Sequence, residues 1–244
     1  MPNAINKLKS KEARLGEKRA LLGGLQLGSQ QITLACAHLD AFSSPKTRKQ
    51  QLYEVVKACS YKAIAVEGEA PSALLKEGAT RAPIIDSNVL IAGDWNTNSI
   101  NSTSGPTLFK SILCQLLLPG PRKMIQEHFP YPYRKFDKPL FDMLTKSGFD
   151  YESLNEEGVG TFDLFENNHE MGMMVSDQYP RWLIKKVNDV IIRSGGLVSL
   201  KLDWFAGKNI QGKNKKVIRL KKGEDYIHSQ RPSDHHPIYL EFGI

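Results

Sequence analysis

Two short stretches far apart in the chain carry groups that could act together on a phosphate: Gly93-Asp94-Trp95-Asn96 and Ser233-Asp234-His235-His236-Pro237. Carboxylates hold a hard divalent cation, an imidazole handles a proton, and an amide fixes a phosphate oxygen or a water. Such a set is what a metal-assisted attack on phosphorus requires. Each stretch adjoins a strand signal. Asp94 and Asn96 follow Val89-Leu-Ile-Ala92, an apolar run that predicts a buried strand, with Gly93 starting the turn out of it. Asp234 and His235 precede Ile238-Tyr-Leu-Glu-Phe242, whose apolar residues alternate with period two. Strand ends can aim all these groups into one cleft.

Two further stretches join them. Ile32-Thr-Leu-Ala-Cys-Ala-His38-Leu-Asp40 is followed by Arg48 and Gln51, and Ser199-Leu-Lys-Leu-Asp203-Trp204 lies between the first pair. Together the four stretches resemble, in their order, the signature motifs of the endonuclease/exonuclease/phosphatase superfamily. The resemblance runs from about Leu21 to the C-terminus. It implies a two-sheet α/β sandwich, here incomplete at its N-terminus, and one domain over residues 1–244.

The resemblance also implies roles. Asp94 and Asn96 would position the attacking water and a phosphate oxygen. His235, oriented by Asp203, would act as base or phosphate ligand, and His38 would donate to the scissile phosphate or the leaving group. Asp234 would hold Mg²⁺, or Mn²⁺ in its place. The implied reaction is phosphoester hydrolysis, with nucleic acid as the first-choice substrate. Phosphoinositide phosphatase and sphingomyelinase-like activities use the same groups, and a truncated member that only binds an anionic partner is the non-enzymatic alternative. Complete members carry two upstream elements, one bearing an Asn and one a metal-binding Glu, and neither is found before Leu21. Weak Mg²⁺ binding, little activity in isolation and self-association through an exposed sheet face are therefore expected, unless Glu67 or Glu69 completes the site.

Composition fits an ordinary globular chain of 244 residues, 41 % hydrophobic and 24 % charged. The longest apolar run, Ile112-Leu-Cys-Gln-Leu-Leu-Leu118, is too short to span a bilayer. The Lys/Arg-rich N-terminus has no apolar core of the kind a secretory signal needs. Cys36, Cys59 and Cys114 lack metal-ligand spacing, which favours a reducing, cytoplasmic location; Cys36 and Cys59 are expected to be core fillers. The net charge of +7 is uneven, with seven basic residues and no acidic one between Lys208 and Lys222. That stretch predicts either a phosphate-tracking surface using Lys213, Lys215 and Lys216, or an ordinary solvated loop.

Between the motifs, Ser44-Pro45 predicts a capped helix carrying Leu52, Val55, Val56 and Cys59 at helical spacing. Further helices are expected over Pro106–Leu118, Phe141–Lys146 and Pro180–Ser194, with a Gly/Pro/Ala-rich loop over Ala63–Ser87 that includes a helical turn at Ser72–Lys76. Asn168-His169-Glu170 reads as a solvated turn, and no role is assigned to His128 or His228. His236 should point away from His235, because successive strand residues face opposite sides. Trp95 is expected to pack beside the Asp94 turn.

Overall fold

The computed structural model describes residues 18–41, 43–59, 61–63, 81–83, 88–98, 104–114, 118–163, 189, 192, 198–220, 233 and 235–244. The architecture is α/β. Strands β1 (Ala20–Leu27), β2 (Gln30–Ala37), β5 (Asn88–Asp94) and β8 (Asp203–Lys208) form one sheet in the order β1-β2-β5-β8. β2 and β5 run parallel, while β1 and β8 are antiparallel to their neighbours. The crossover between the two parallel strands contains helix α1 (Pro45–Cys59) and the short pair β3 (Tyr61–Ala63) and β4 (Arg81–Pro83). Ser44 starts α1 as expected, its Oγ accepting from Thr47 N at 3.1 Å.

Both faces of the sheet are covered, which explains why Val89–Ala92 is a continuous apolar run rather than an alternating one. Ala35, Ala37, Val89, Ile91, Trp204 and Ala206 face a helical layer. That layer is built from α1 and α4 (Lys138–Lys146), joined by Trp95, Phe149 and Tyr151. Ile32 and Leu90 face the other side and pack with Leu154, Ile210, Leu240 and Phe242. This second layer includes β9 (Gln211–Val217) paired antiparallel with β10 (Ile238–Gly243). A third small pair, β6 (Phe162–Asp163) with β7 (Ser199–Leu200), lies at the end of the sandwich. Helices α2 (Gly105–Ile112) and α3 (Pro121–Lys123), the latter continued by a π-helical segment over Met124–His128, and a 3-10 turn over Pro132–Arg134 complete the elements among the described residues.

Several expectations shift. The Asp203 stretch is two strands rather than one: Ser199–Leu200 pairs with β6, and Asp203 opens β8 against β5. Thr161 makes the switch, its Oγ1 accepting from both Leu202 N and Asp203 N at 3.0 and 3.1 Å. Gly93 is the penultimate residue of β5 rather than the start of a turn. A Cβ there would lie 2.1 Å from the Ala37 carbonyl oxygen, and its φ is +137°, so close approach of β2 and a left-handed backbone both require glycine. Cys36 is exposed rather than a core filler, because it faces away from the helical layer that buries Ala35 and Ala37; Cys59 is buried as expected. α4 begins three residues before Phe141, at Lys138, and α2 reaches Ile112. The helix expected over Pro180–Ser194, apart from residues 189 and 192, lies outside the described residues, as do Ser72–Lys76, Asn168–Glu170 and His228.

β1 is the exception to this cover. Among the described residues it pairs only with β2, and Leu21, Leu22, Leu25 and Leu27 are exposed, Leu21 by 76 %.

Candidate functional site

Strand register alone brings most of the candidate residues together. Antiparallel pairing of β5 with β8 sets Asp94 opposite Asp203. Parallel pairing of β2 with β5 matches Cys36 to Ala92, so His38 emerges beside Asp94. Its Nε2 lies 3.4 Å from Asp94 Oδ2, and the ring is 58 % exposed. Leu39 N extends the strand pairing by donating to Asp94 O at 2.9 Å.

Asn96 turns back onto this pair. It sits at φ +50°, a left-handed position that asparagine tolerates better than most residues. Its backbone N donates to Asp94 Oδ1 at 2.8 Å and its Nδ2 to Asp94 Oδ2 at 3.1 Å. Nδ2 also reaches Leu39 O at 2.9 Å, which ties the end of β5 to the end of β2.

His235 arrives from the lead-in to β10. Its Nδ1 is 2.7 Å from Asp203 Oδ2. A carboxylate can only accept, so Nδ1 carries a proton and donates to Asp203, which turns Nε2 away from that carboxylate. The His235 ring packs edge-on against Phe162, centroids 5.2 Å apart, and the two residues form an isolated β-bridge. Ser233 Oγ accepts from His235 N at 3.0 Å.

Ligand atoms of Asp94, Asp203 and His235 lie within 4.8 Å of one another. Burial, then the neighbouring Asp203 carboxylate, push the Asp94 carboxyl up to about 6. Two facing carboxylates, one of them buried enough to resist ionisation, suit a divalent cation, whose oxygen ligands would come from Asp94 and Asp203. Asp234, Glu67 and Glu69 lie outside the described residues.

Behind the site, Arg48 and Gln51 of the His38 motif anchor a buried polar frame whose other members, Ser43, Asn98 and Asp137, the sequence did not flag. The Arg48 guanidinium donates to Asp137 Oδ1 at 2.8 Å with both side chains fully buried, and to Ser43 O at 2.7 Å. Asp137 Oδ2 accepts from Asn98 N at 2.7 Å, and Asn98 Nδ2 donates to Phe129 O at 2.9 Å. Gln51 Oε1 accepts from Asp40 N at 3.0 Å. Arg48 and Gln51 thus hold the segments that follow His38 and Asn96 and stand behind the cleft. Trp95 is buried as expected, stacked on Trp204 with centroids 6.2 Å apart. Lys201 is buried beside that Trp204 ring, where burial lowers its ammonium to about 8 and Nζ donates to Glu156 O at 3.0 Å.

The three lysines do not share one surface. Lys215 pairs with Leu240, which packs inward, and its Nζ donates to Ser153 O and Glu152 O at 2.8 and 3.2 Å. Lys216 pairs with the exposed Tyr239 on the outer face. Lys213 is exposed near Gly243. His236 does face away from His235, towards a buried Asp163. His128 is buried against Phe136, its proton affinity lowered first by burial.

No family model and no curated protein matches the chain. It is similar to a solved structure of D. rerio TDP2 complexed with single strand DNA product, at 14 % identity and TM-score 0.42, covering 93 % of this chain and 62 % of that one. A mannosyl-6-phosphatase from Bacteroides thetaiotaomicron gives 12 % identity, TM-score 0.44 and coverages of 93 % and 57 %. The endonuclease domain of TRAS1, a telomere-specific non-LTR retrotransposon, gives 11 %, 0.37, 92 % and 64 %. The chain spans about three-fifths of the length of each.

Proposed function

We propose that this chain carries the site of a divalent-metal-dependent phosphoester hydrolase that acts on nucleic acid. The observation that supports this most is the convergence of His38, Asp94, Asn96, Asp203 and His235 at one end of the sheet, with Asp94 held at an unusually high proton affinity by its surroundings. Asp94 and Asp203, with Asp234, would hold Mg²⁺ or Mn²⁺. When bound, the cation neutralises charge on phosphoryl oxygens.

The chain's own groups divide the remaining work. Asp203 fixes the His235 tautomer, so that Nε2 serves as a proton acceptor or phosphate ligand. Asn96 holds the Asp94 carboxylate through two hydrogen bonds and limits its rotation. His38, more than half exposed beside Asp94, can donate to a phosphate oxygen or the leaving group. The exposed Lys213 and Lys216 of the basic stretch add positive charge that suits an anionic substrate.

Slow turnover by residues 1–244 alone is part of the proposal, since Mg²⁺ demands near-octahedral oxygen coordination and sheds water reluctantly. The test is cleavage of plasmid DNA and a labelled oligonucleotide with Mg²⁺ or Mn²⁺, alongside a phosphomonoester and a sphingomyelin headgroup substrate. Metal-dependent DNA cleavage, lost in both Asp94→Ala and His235→Ala, is expected. Cleavage that survives chelation, or that both variants retain, overturns the proposal; turnover of a headgroup substrate alone moves the reading to the phosphatase class.

A further inference from the structure

Asp203 and His235 form the working pair, yet their strands do not pair with each other. β8 belongs to the four-stranded sheet, whereas β10 pairs with β9 in the second layer. Something else must set the 2.7 Å approach of Nδ1 to Oδ2. The residues that reach both sides are Thr161, Phe162 and Asp163. Thr161 Oγ1 receives Asp203 N, while Thr161 O receives His236 N at 2.7 Å. Phe162 bridges His235.

Asp163 closes this arrangement. Its Oδ2 lies 2.9 Å from His236 Nε2, with the two side chains 2 % and 1 % exposed. His236 Nδ1 accepts from Leu220 N at 3.1 Å, so Nε2 carries the proton and donates to Asp163. Ser199 Oγ donates to Asp163 Oδ1 at 2.5 Å and Arg219 Nη1 reaches Oδ2 at 3.3 Å. One buried carboxylate thus ties β7, the segment after β9 and the lead-in to β10. A charged group this deeply buried is held in one place by its hydrogen bonds, since losing any of them leaves a desolvated partner.

We propose that Asp163 and His236 are positioning residues: their buried pair fixes the backbone of His236 so that the preceding residue presents its ring to Asp203. Neither touches the reacting atoms. The link to turnover rests on the hydrolase reading; the geometric part does not.

The experiment is NMR of the ¹⁵N-labelled full chain without metal or substrate, following the hydrogen-bonded Nδ1–H of His235, assigned by its disappearance in His235→Gln. The wild-type chain shows this resonance. Asp163→Ala loses or broadens it, and Asp163→Asn, which keeps an oxygen to accept from His236, restores it. Should Asp163→Ala not fold, His236→Phe takes its place, because it preserves ring volume and removes both ring hydrogen bonds. A folded Asp163→Ala or His236→Phe chain that keeps the His235 resonance overturns the proposal, as does a wild-type chain without it. Where the wild type cleaves DNA, Asp163→Ala lowers kcat by roughly tenfold or more with KM unchanged. Absence of wild-type cleavage refutes the hydrolase reading and leaves the NMR result standing.

Discussion

His235 and His236 are neighbours in the chain, and each faces an aspartate brought from another strand. His235 meets Asp203 at 2.7 Å with 22 % and 16 % of the side chains exposed, while His236 meets Asp163 at 2.9 Å with almost none exposed. The chemistry of the two pairs is the same; their surroundings differ. The outer pair lies partly open to solvent beside Asp94, with Nε2 turned from Asp203, and is suited to proton transfer. In the inner pair both ring nitrogens are occupied, by Leu220 N and Asp163, which leaves it fit only to hold structure. Access, not residue type, separates a working histidine from a framing one.

The largest expected effect tests the outer pair. His235→Ala and Asp203→Ala should each lower metal-dependent cleavage by ~10²–10⁴-fold, the usual range for a lost general base or its support. Their melting temperatures should stay close to wild type, because the pair is partly solvated. A drop in stability that matches the loss of activity would erase the distinction between the two regions.

The buried frame should respond in the opposite sense. Asp137→Ala leaves the fully buried Arg48 guanidinium without its carboxylate, which costs about 3–5 kcal/mol. Thermal melting should fall by roughly 10 °C. A melting temperature within a degree or two of wild type would show that water or another group already serves Arg48.

Asp94 provides a pH test. Its carboxyl is raised from 3.8 to about 6, so below the lower value it is protonated whether folded or unfolded and costs nothing. Between those values the folded chain binds the extra proton, and stability falls as pH rises. Above about 6 the folded state carries the full cost, ~3 kcal/mol. Melting curves from pH 4 to 8 should show this loss, Asp94→Asn should flatten it, and Mn²⁺ should recover it at pH 7.5 more than at pH 5. Identical profiles for wild type and Asp94→Asn would remove the electrostatic argument for a cation.

The smallest effect belongs to the basic strand. Replacing Lys213, Lys215 and Lys216 with Ala should weaken DNA binding and reduce the salt slope by ~0.9 for each phosphate that is no longer neutralised. Lys215→Ala alone should do less, since its Nζ is engaged by the Ser153 and Glu152 carbonyls. An unchanged slope in the triple variant would leave β9 as ordinary solvated surface.

Much of this site is legible in the sequence. Asp94, Asn96 and His235 stand out because each combines a chemically able side chain with a strand signal, whereas His38 and Asp203 are picked out by the motif resemblance; strand ends in a sheet converge. Arg48 and Gln51 are visible only as companions of His38, with no hint of what they bind. Asp137 and Asn98 give no signal, because a buried partner for Arg48 that lies 89 residues away leaves no local pattern. Thr161 and Asp163 are silent for the same reason. Cys36 misleads because β2 is covered on both sides only part of the way along, and no periodicity reveals where a covering layer stops.

The sequence by itself determined which residues can do chemistry and which runs must be strands or helices, since side-chain type and hydrophobic period are local properties. It also led to the expectation that His235 and His236 face opposite sides, and they do, although both precede β10. Only the tertiary structure decided which aspartate each histidine meets, that Gly93 is demanded by the Ala37 carbonyl, and that the lysines of β9 divide between two faces. Those outcomes depend on register between strands distant in sequence. Register is set by packing across the whole sheet, where a one-residue slip would send every one of these groups to the other side.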